Sequence, residues 1–284
     1  MIPAVFEYTK PSSVDEALQA LASGGEDAKV LAGGQSLIPL LRLRLAAPAL
    51  LVDLTGIADM RGVREDGDSI VIGAMTTHDA VLGDPLVARY ASLVKQATAT
   101  VADRQVRHRG TFGGSLAHAD PAGDLPAVAV ASGAIFEIAG ASGRRHVPAS
   151  EFFQDYLTTA IEPGEILTSV RLPKREGWAT HYEKFQRMAQ AWAIVGVAAA
   201  IGRDGGTITS ASIALTNMGS KPIQAAAVEH ALIGSDGSPE AIAAAAAHGA
   251  EGTHPTSDVS ASADYRRHLA GVLTRRAIQA ALAA

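Results

Sequence analysis

The 284-residue sequence contains no cysteine. That excludes disulfides, catalytic thiols, thiolate zinc sites and any iron–sulfur cluster held by the chain's own side chains. A one-electron centre must therefore be borrowed. No charge of one sign prevails: Lys plus Arg is 24 and Asp plus Glu is 29, a net charge of −5, which leaves no footprint for a nucleic-acid binder. Long hydrophobic runs are also missing. The longest, Ala191 to Ile201, is about half of the ~20 residues needed to cross a bilayer, and the start of the chain lacks a secretory signal. A cytoplasmic protein is expected.

Several catalytic motifs are missing as well. There is no G-x-G-x-x-G, no phosphate-binding G-x-x-x-x-G-K-[ST], no H-E-x-x-H and no G-x-S-x-G. His78, His118 and His146 are too scattered to form a metal site and read as satisfied or exposed side chains.

What is present is an ordinary globular composition, 48% apolar and 19% charged, in a length that suits one large or two ordinary domains. Ser13 and Glu16 have the spacing of a capping box ahead of a helical pattern at Val14, Ala17, Leu18 and Leu21. Short strands are predicted at Val5–Tyr8, Lys29–Ala32, Leu50–Leu54 and Ser69–Ile72, and helices at Leu37–Leu45, Thr77–Leu82, Leu86–Thr100 and Asp124–Ser132. After the polar turn Pro173–Gly177 the rhythm changes. Three strands (Trp178–Arg187, Ala193–Ile201, Thr207–Leu215), two of them joined by Asp204-Gly205-Gly206, precede Ala-rich helices at Ala225–Leu232, Pro239–His248 and Asp264–Leu282. Strands followed by helices define an α+β unit, so domains 1–176 and 177–284 are expected.

Two stretches can carry chemistry. Ala32-Gly33-Gly34-Gln35-Ser36 lies between a strand and a helix, where main-chain amides with no Cβ in the way form a concavity for an anion such as a diphosphate. Eighty residues on, Thr111-Phe112-Gly113-Gly114-Ser115 repeats that chemistry. Two such loops can close on one extended phosphate from opposite sides. Either pair of glycines alone reads equally as a plain turn. The basic run Arg104 to Arg109 reads as a phosphate or partner contact, or as a solvated surface. Trp178, Tyr182, Phe185 and Trp192, the densest aromatic group, read as packing of the second domain or as a surface for a planar cofactor.

These two loops, followed by Ala117-His118-Ala119-Asp120-Pro121-Ala122-Gly123-Asp124, resemble the FAD-binding medium subunits of molybdenum hydroxylases, the xanthine dehydrogenase family, and most of all those of the aerobic carbon monoxide dehydrogenase type. The likeness spans the chain, including Phe6-Glu7-Tyr8, Leu41–Leu45 before Val52-Asp53-Leu54, Glu165-Ile166-Leu167 and Tyr182-Glu183-Lys184. It implies a two-lobed α+β FAD-binding domain of the vanillyl-alcohol-oxidase (PCMH) type, then a smaller α+β C-terminal domain. Ala32, Gly33, Gly34, Gln35 and Ser36 would hold the pyrophosphate from one side, and Thr111, Gly113, Gly114 and Ser115 from the other. Asp124 would accept from ribityl or ribose hydroxyls, with Leu167 and Lys184 near the flavin ring.

The resemblance also implies partners: a large subunit with molybdopterin cytosine dinucleotide and a small subunit with two 2Fe-2S clusters, assembled as a dimer of heterotrimers. Electrons would pass from the clusters through FAD to quinone, NAD or oxygen, in the cytoplasm or at the inner face of the membrane. Two departures loosen substrate identity. Gln35 stands where many relatives carry His, and Phe185–Ala193 lacks their basic Gly-Asp pattern. The alternatives are a flavin subunit of an N-heterocycle or aldehyde hydroxylase, a stand-alone FAD oxidase, and an assembly protein without a cofactor.

Overall fold

Ser13 Oγ accepts from the Glu16 amide at 3.2 Å and starts the first helix, α1 (Val14–Gly24), as the capping-box spacing predicts. The reciprocal half differs. Glu16 Oε2 accepts from the amide and hydroxyl of Ser12, at 2.8 and 2.9 Å, rather than from Ser13. The computed structural model describes residues 2–283. Around α1 run β1 (Glu7–Thr9), β2 (Ala28–Leu31), α2 (Leu37–Leu43) and β3 (Leu50–Asp53). The strands pair in the order β1-β3-β2, all parallel, so each needs a helical crossover, which α1 and α2 supply.

A second lobe follows. It contains β4 (Val63–Asp66), β5 (Ser69–Gly73), the helices α3 (His78–Gly83), α4 (Pro85–Tyr90), α5 (Ser92–Ala99), α6 (Arg104–Arg109), α7 (Phe112–His118) and α8 (Asp124–Ser132), then β6 (Ile135–Gly140), β7 (Gly143–Pro148), α9 (Ala149–Phe152), β8 (Phe153–Asp155), β9 (Thr158–Thr159) and β10 (Ile166–Pro173). Its main sheet is antiparallel in the order β4-β5-β10-β6-β7. Val52 and Leu54 of the first lobe share one core with Ile70, Ile72, Phe136, Phe152 and Val170 of the second.

Several expectations are corrected here. The single helix predicted over Leu86–Thr100 is two, because Ala91 leaves the helical region at φ −136°, ψ 48°. β4 and β7 were not predicted: they are exposed outer strands whose Arg, Glu and Asp residues hide any alternation. The basic run is helix α6, started by Asp103, whose Oδ1 accepts from the Val106 amide at 2.9 Å.

The C-terminal unit comprises β11 (Ala179–Phe185), β12 (Val195–Asp204), β13 (Thr207–Thr216), β14 (Ile223–Gln224), α10 (Ala226–Leu232), α11 (Pro239–Ala246) and α12 (Ala263–Ala283). Its strands form an antiparallel sheet in chain order. Gly205 and Gly206 both have positive φ, 54° and 92°, as the predicted tight hairpin requires. Val195, Val197, Ala199 and Ile201 of β12 face the helices, whereas Ala198 and Ala200 join the core of the first two lobes. Burial on both faces explains the unbroken apolar run. The sheet is thus the seam between the two halves of the chain.

Candidate functional site

β2 ends in the first glycine loop, and the main chain there has nothing of its own to bind. Among the described residues, the amides of Gly33, Gly34, Gln35 and Ser36 have no acceptor. Gly34 takes φ +75°, a conformation side chains disfavour, and its carbonyl closes the turn by accepting from Ile38 at 3.0 Å. Ser36 precedes α2 in the helical region and makes no side-chain cap, so its hydroxyl is also uncommitted to the helix. Four successive unpaired amides form a nest for an anion.

The second loop is built differently, and the expectation of an uncovered backbone is corrected. Phe112–His118 is helix α7, capped by Thr111 Oγ1, which accepts from the Gly114 amide at 3.1 Å. The Phe112 amide donates to Thr76 O and the Gly113 amide to Ala74 O, at 2.8 and 2.9 Å, and Ser115 N reaches Thr111 O at 3.1 Å. A Cβ at Gly113 would stand 2.4 Å from Ala74 Cβ. Gly113 therefore serves close packing against the turn after β5. What this loop can offer an anion is the Thr111 hydroxyl proton, because the Ser115 hydroxyl spends its one proton on Phe112 O at 2.9 Å.

The structure brings the two loops into contact. A Cβ at Gly33 would lie 2.3 Å from Arg109 O and 2.7 Å from Gly110 Cα, while one at Gly114 would lie 3.3 Å from Ala32 Cβ. Beneath Gly110 sits His78, whose amide donates to Gly110 O at 2.9 Å. Its imidazole is buried and Nδ1 has no partner among the described residues, which corrects the reading of a satisfied or exposed histidine. Burial, helped by the Arg107 charge, lowers its pKa from 6.5 to about 4.

Asp124 opens α8 and is buried. Its Oδ2 accepts from Lys184 Nζ at 2.8 Å and its Oδ1 from the Tyr182 hydroxyl at 2.7 Å; Lys184 also donates to Thr100 O at 3.0 Å. Burial pushes the Asp124 carboxyl up, against the pull of Lys184, and raises the Tyr182 hydroxyl well above its usual range. Leu167 is an apolar core residue at a bulge in β10 and makes no polar link to the others. Of the aromatic group only Tyr182 enters this network: Trp178 stacks on Arg175, Phe185 meets Tyr265 edge-on and Trp192 is exposed. In the basic run, Arg107 is tied to the Val101 and Ala102 carbonyls and His108 faces Asp79 at 3.3 Å. Among the described residues, no His, Cys, Asp or Glu group is arranged to hold a metal.

The loops were read from the sequence, and Asp124 and Lys184 from the family resemblance; Tyr182's bond to Asp124 and the burial of His78 beneath Gly110 were not foreseen. The sole signal for His78 was its place beside Thr77 at a helix start, and Thr77 bridges to Thr111.

An amide nest beside the Thr111 hydroxyl fits the diphosphate of a flavin dinucleotide. Residues 4–175 match the family model described as the FAD binding domain in molybdopterin dehydrogenase, and residues 180–281 match that of the CO dehydrogenase flavoprotein C-terminal domain. The chain belongs to this family of FAD-binding molybdopterin dehydrogenase subunits. It is 41% identical over 284 residues to the carbon monoxide dehydrogenase medium chain of Afipia carboxidovorans, covering 100% of this chain and 99% of the relative. The carbon monoxide dehydrogenase of Hydrogenophaga pseudoflava, solved without the Mo-pyranopterin moiety of its cofactor, superposes with a TM-score of 0.97 at 42% identity, covering 100% and 99%. The glyceraldehyde dehydrogenase medium chain of Sulfolobus acidocaldarius is 36% identical over 279 residues, covering 98% and 99%. The chain is thus an oxidoreductase component close to carbon monoxide dehydrogenase medium chains, and no helix among the described residues is long and apolar enough to cross a membrane.

Proposed function

We propose that this chain is the flavin-bearing electron-transfer subunit of a molybdenum-containing complex that oxidises carbon monoxide. The carrying observation is that four successive main-chain amides, residues 33–36, stand unpaired among the described residues in a chain matched end to end by carbon monoxide dehydrogenase medium chains. Bound FAD would supply storage for two electrons that arrive singly.

The chain's own residues bind and orient that group. The amides of Gly33 to Ser36 hold the diphosphate, and the Thr111 hydroxyl donates to it from the far side, joined by Ser115 once its hydroxyl turns away from Phe112 O. Gly33 and Gly114 allow the loops to meet at that point, and Gly113 seats the second loop against Ala74. Asp124 keeps a second lone pair on each oxygen for a ribityl or ribose hydroxyl. Lys184 and Leu167 border the ring, with 1–176 as the cofactor domain and 177–284 as its cover.

A chain without thiolates needs a partner to deliver electrons. The partners are a large subunit with molybdopterin cytosine dinucleotide and a small subunit with two 2Fe-2S clusters, in a cytoplasmic dimer of heterotrimers, with quinone, NAD or oxygen as acceptor. The test is direct. The purified chain should bind FAD and show bands near ~370 and ~450 nm that bleach on reduction, and should co-purify with subunits containing iron and molybdenum that reduce a dye with carbon monoxide. A chain that takes up no FAD refutes the reading.

A second reading, an aldehyde or N-heterocycle hydroxylase, is favoured by Gln35 and by the similarity to an aldehyde-oxidising relative. It predicts dye reduction by those substrates and none by carbon monoxide.

A further inference from the structure

Helix α8 begins at the buried Asp124 and ends at Gly133, where a cavity of about 280 Å³ opens between the two halves of the chain. Ser150 and Arg175 line it from the N-terminal side, and Ser212 and Gln224 line it from the C-terminal sheet. Arg175 is the only charged residue in the wall, in a protein of net charge −5. Nothing in this cavity belongs to the glycine loops or to the Asp124–Lys184 pair.

Arg175 is held in place but incompletely used. One of its five N–H donors goes to Ala131 O at 2.8 Å, its sole hydrogen bond among the described residues, and the guanidinium lies 4.4 Å over the Trp178 ring. No carboxylate reaches it among those residues. Partial burial lowers its pKa from the usual arginine value, and no counter-charge among the described residues opposes that shift. The Ser150 and Ser212 hydroxyls make no hydrogen bond among the described residues, and Gln224 gives its amide nitrogen to Glu229 at 3.0 and 3.2 Å, which leaves its carbonyl as an acceptor. A planar fork with spare donors, two free hydroxyls and one acceptor match a partly protonated tetrahedral oxyanion.

We propose that this cavity is a binding site for inorganic phosphate or a phosphate monoester, held by the Arg175 guanidinium and the Ser150 and Ser212 hydroxyls. The ligand ties α9 and the connecting segment to the C-terminal sheet. It also sits at the far end of the nine-residue helix that carries Asp124, roughly 13 Å away along its axis.

The test uses the full, FAD-loaded chain at constant ionic strength, with chloride as the balancing anion. Unfolding temperature and calorimetric binding are measured with inorganic phosphate, glycerol phosphate and acetate as probes. A saturable rise with phosphate supports the site, and a rise with the ester alone assigns it to an esterified ligand. Arg175→Gln should weaken binding on the order of tenfold to a hundredfold, the worth of a charge-assisted hydrogen bond. Because Arg175 also caps α8, Ser212→Val is the second variant. It leaves that cap in place and should reduce phosphate affinity while the unliganded unfolding temperature stays near wild type. No response to either phosphate probe, a response to acetate alone, or an equal response in wild type and both variants overturns the proposal.

Discussion

Lys184 Nζ stands 2.8 Å from Asp124 Oδ2, with the two side chains only 4% and 5% exposed. This ion pair joins β11 of the C-terminal unit to the first turn of α8, so one buried charge pair closes the seam. Removing one partner strands the other. Asp124→Ala should therefore cost about 3–5 kcal/mol in urea unfolding, and Asp124→Asn with Lys184→Met should cost less than the sum of the single changes. Additive losses would show that the two side chains act independently.

Tyr182 makes that pair a network, and Gly196 gives it room. A Cβ at Gly196 would fall 2.5 Å from the Tyr182 hydroxyl. Gly196→Ala should destabilise by about 1–3 kcal/mol through overpacking. Tyr182→Phe should cost roughly 1.5–3 kcal/mol for the lost bond to a carboxylate. The double variant should be more stable than the sum predicts, because the deleted hydroxyl frees the space the new methyl needs.

Gly33→Ala should lower FAD content more than it lowers stability. Its Cβ would collide with the Arg109–Gly110 main chain and push the amide nest away from Thr111 and Ser115. The ratio of absorbance near ~450 nm to that at ~280 nm in purified protein reads the outcome directly. Full flavin content in this variant would contradict the assignment of the first loop.

His78 predicts a pH dependence with a defined sign. Its pKa is about 4 in the folded chain against an ordinary 6.5, so above 6.5 it is neutral in both states and its contribution is fully present. As pH falls from 6.5 towards 4, the unfolded chain takes up a proton that the folded one refuses, and stability drops by up to ~3 kcal/mol. His78→Gln should flatten that slope in urea unfolding measured between pH 7 and 4, with little change in the slope above pH 7.

The helix N-cap at Ser13, the hairpin at Gly205-Gly206 and the C-terminal strand series were legible because each rests on neighbours in sequence. The glycine loops were legible as side-chain-poor stretches at element ends. Their division of labour was not. Whether an amide is free depends on what faces it, and Ala74 and Thr76, which occupy the Gly113 and Phe112 amides, lie nearly forty residues away. β4 and β7 escaped notice because a strand at the edge of a sheet carries charges on its open side and loses its alternation.

The sequence by itself determined the chemistry that is absent, the C-terminal run of strands followed by helices and the two glycine-rich stretches. It did so through composition and short-range pattern: a missing thiol is missing in any fold, and a helix start or a tight turn is decided within a few residues. Only the tertiary structure decided that residues 33–36 keep their amides free while those of 112–115 are spent, that Asp124 meets Lys184 across the seam, and that His78 lies neutral under Gly110. Those properties depend on burial and on partners distant in sequence, which packing alone brings together.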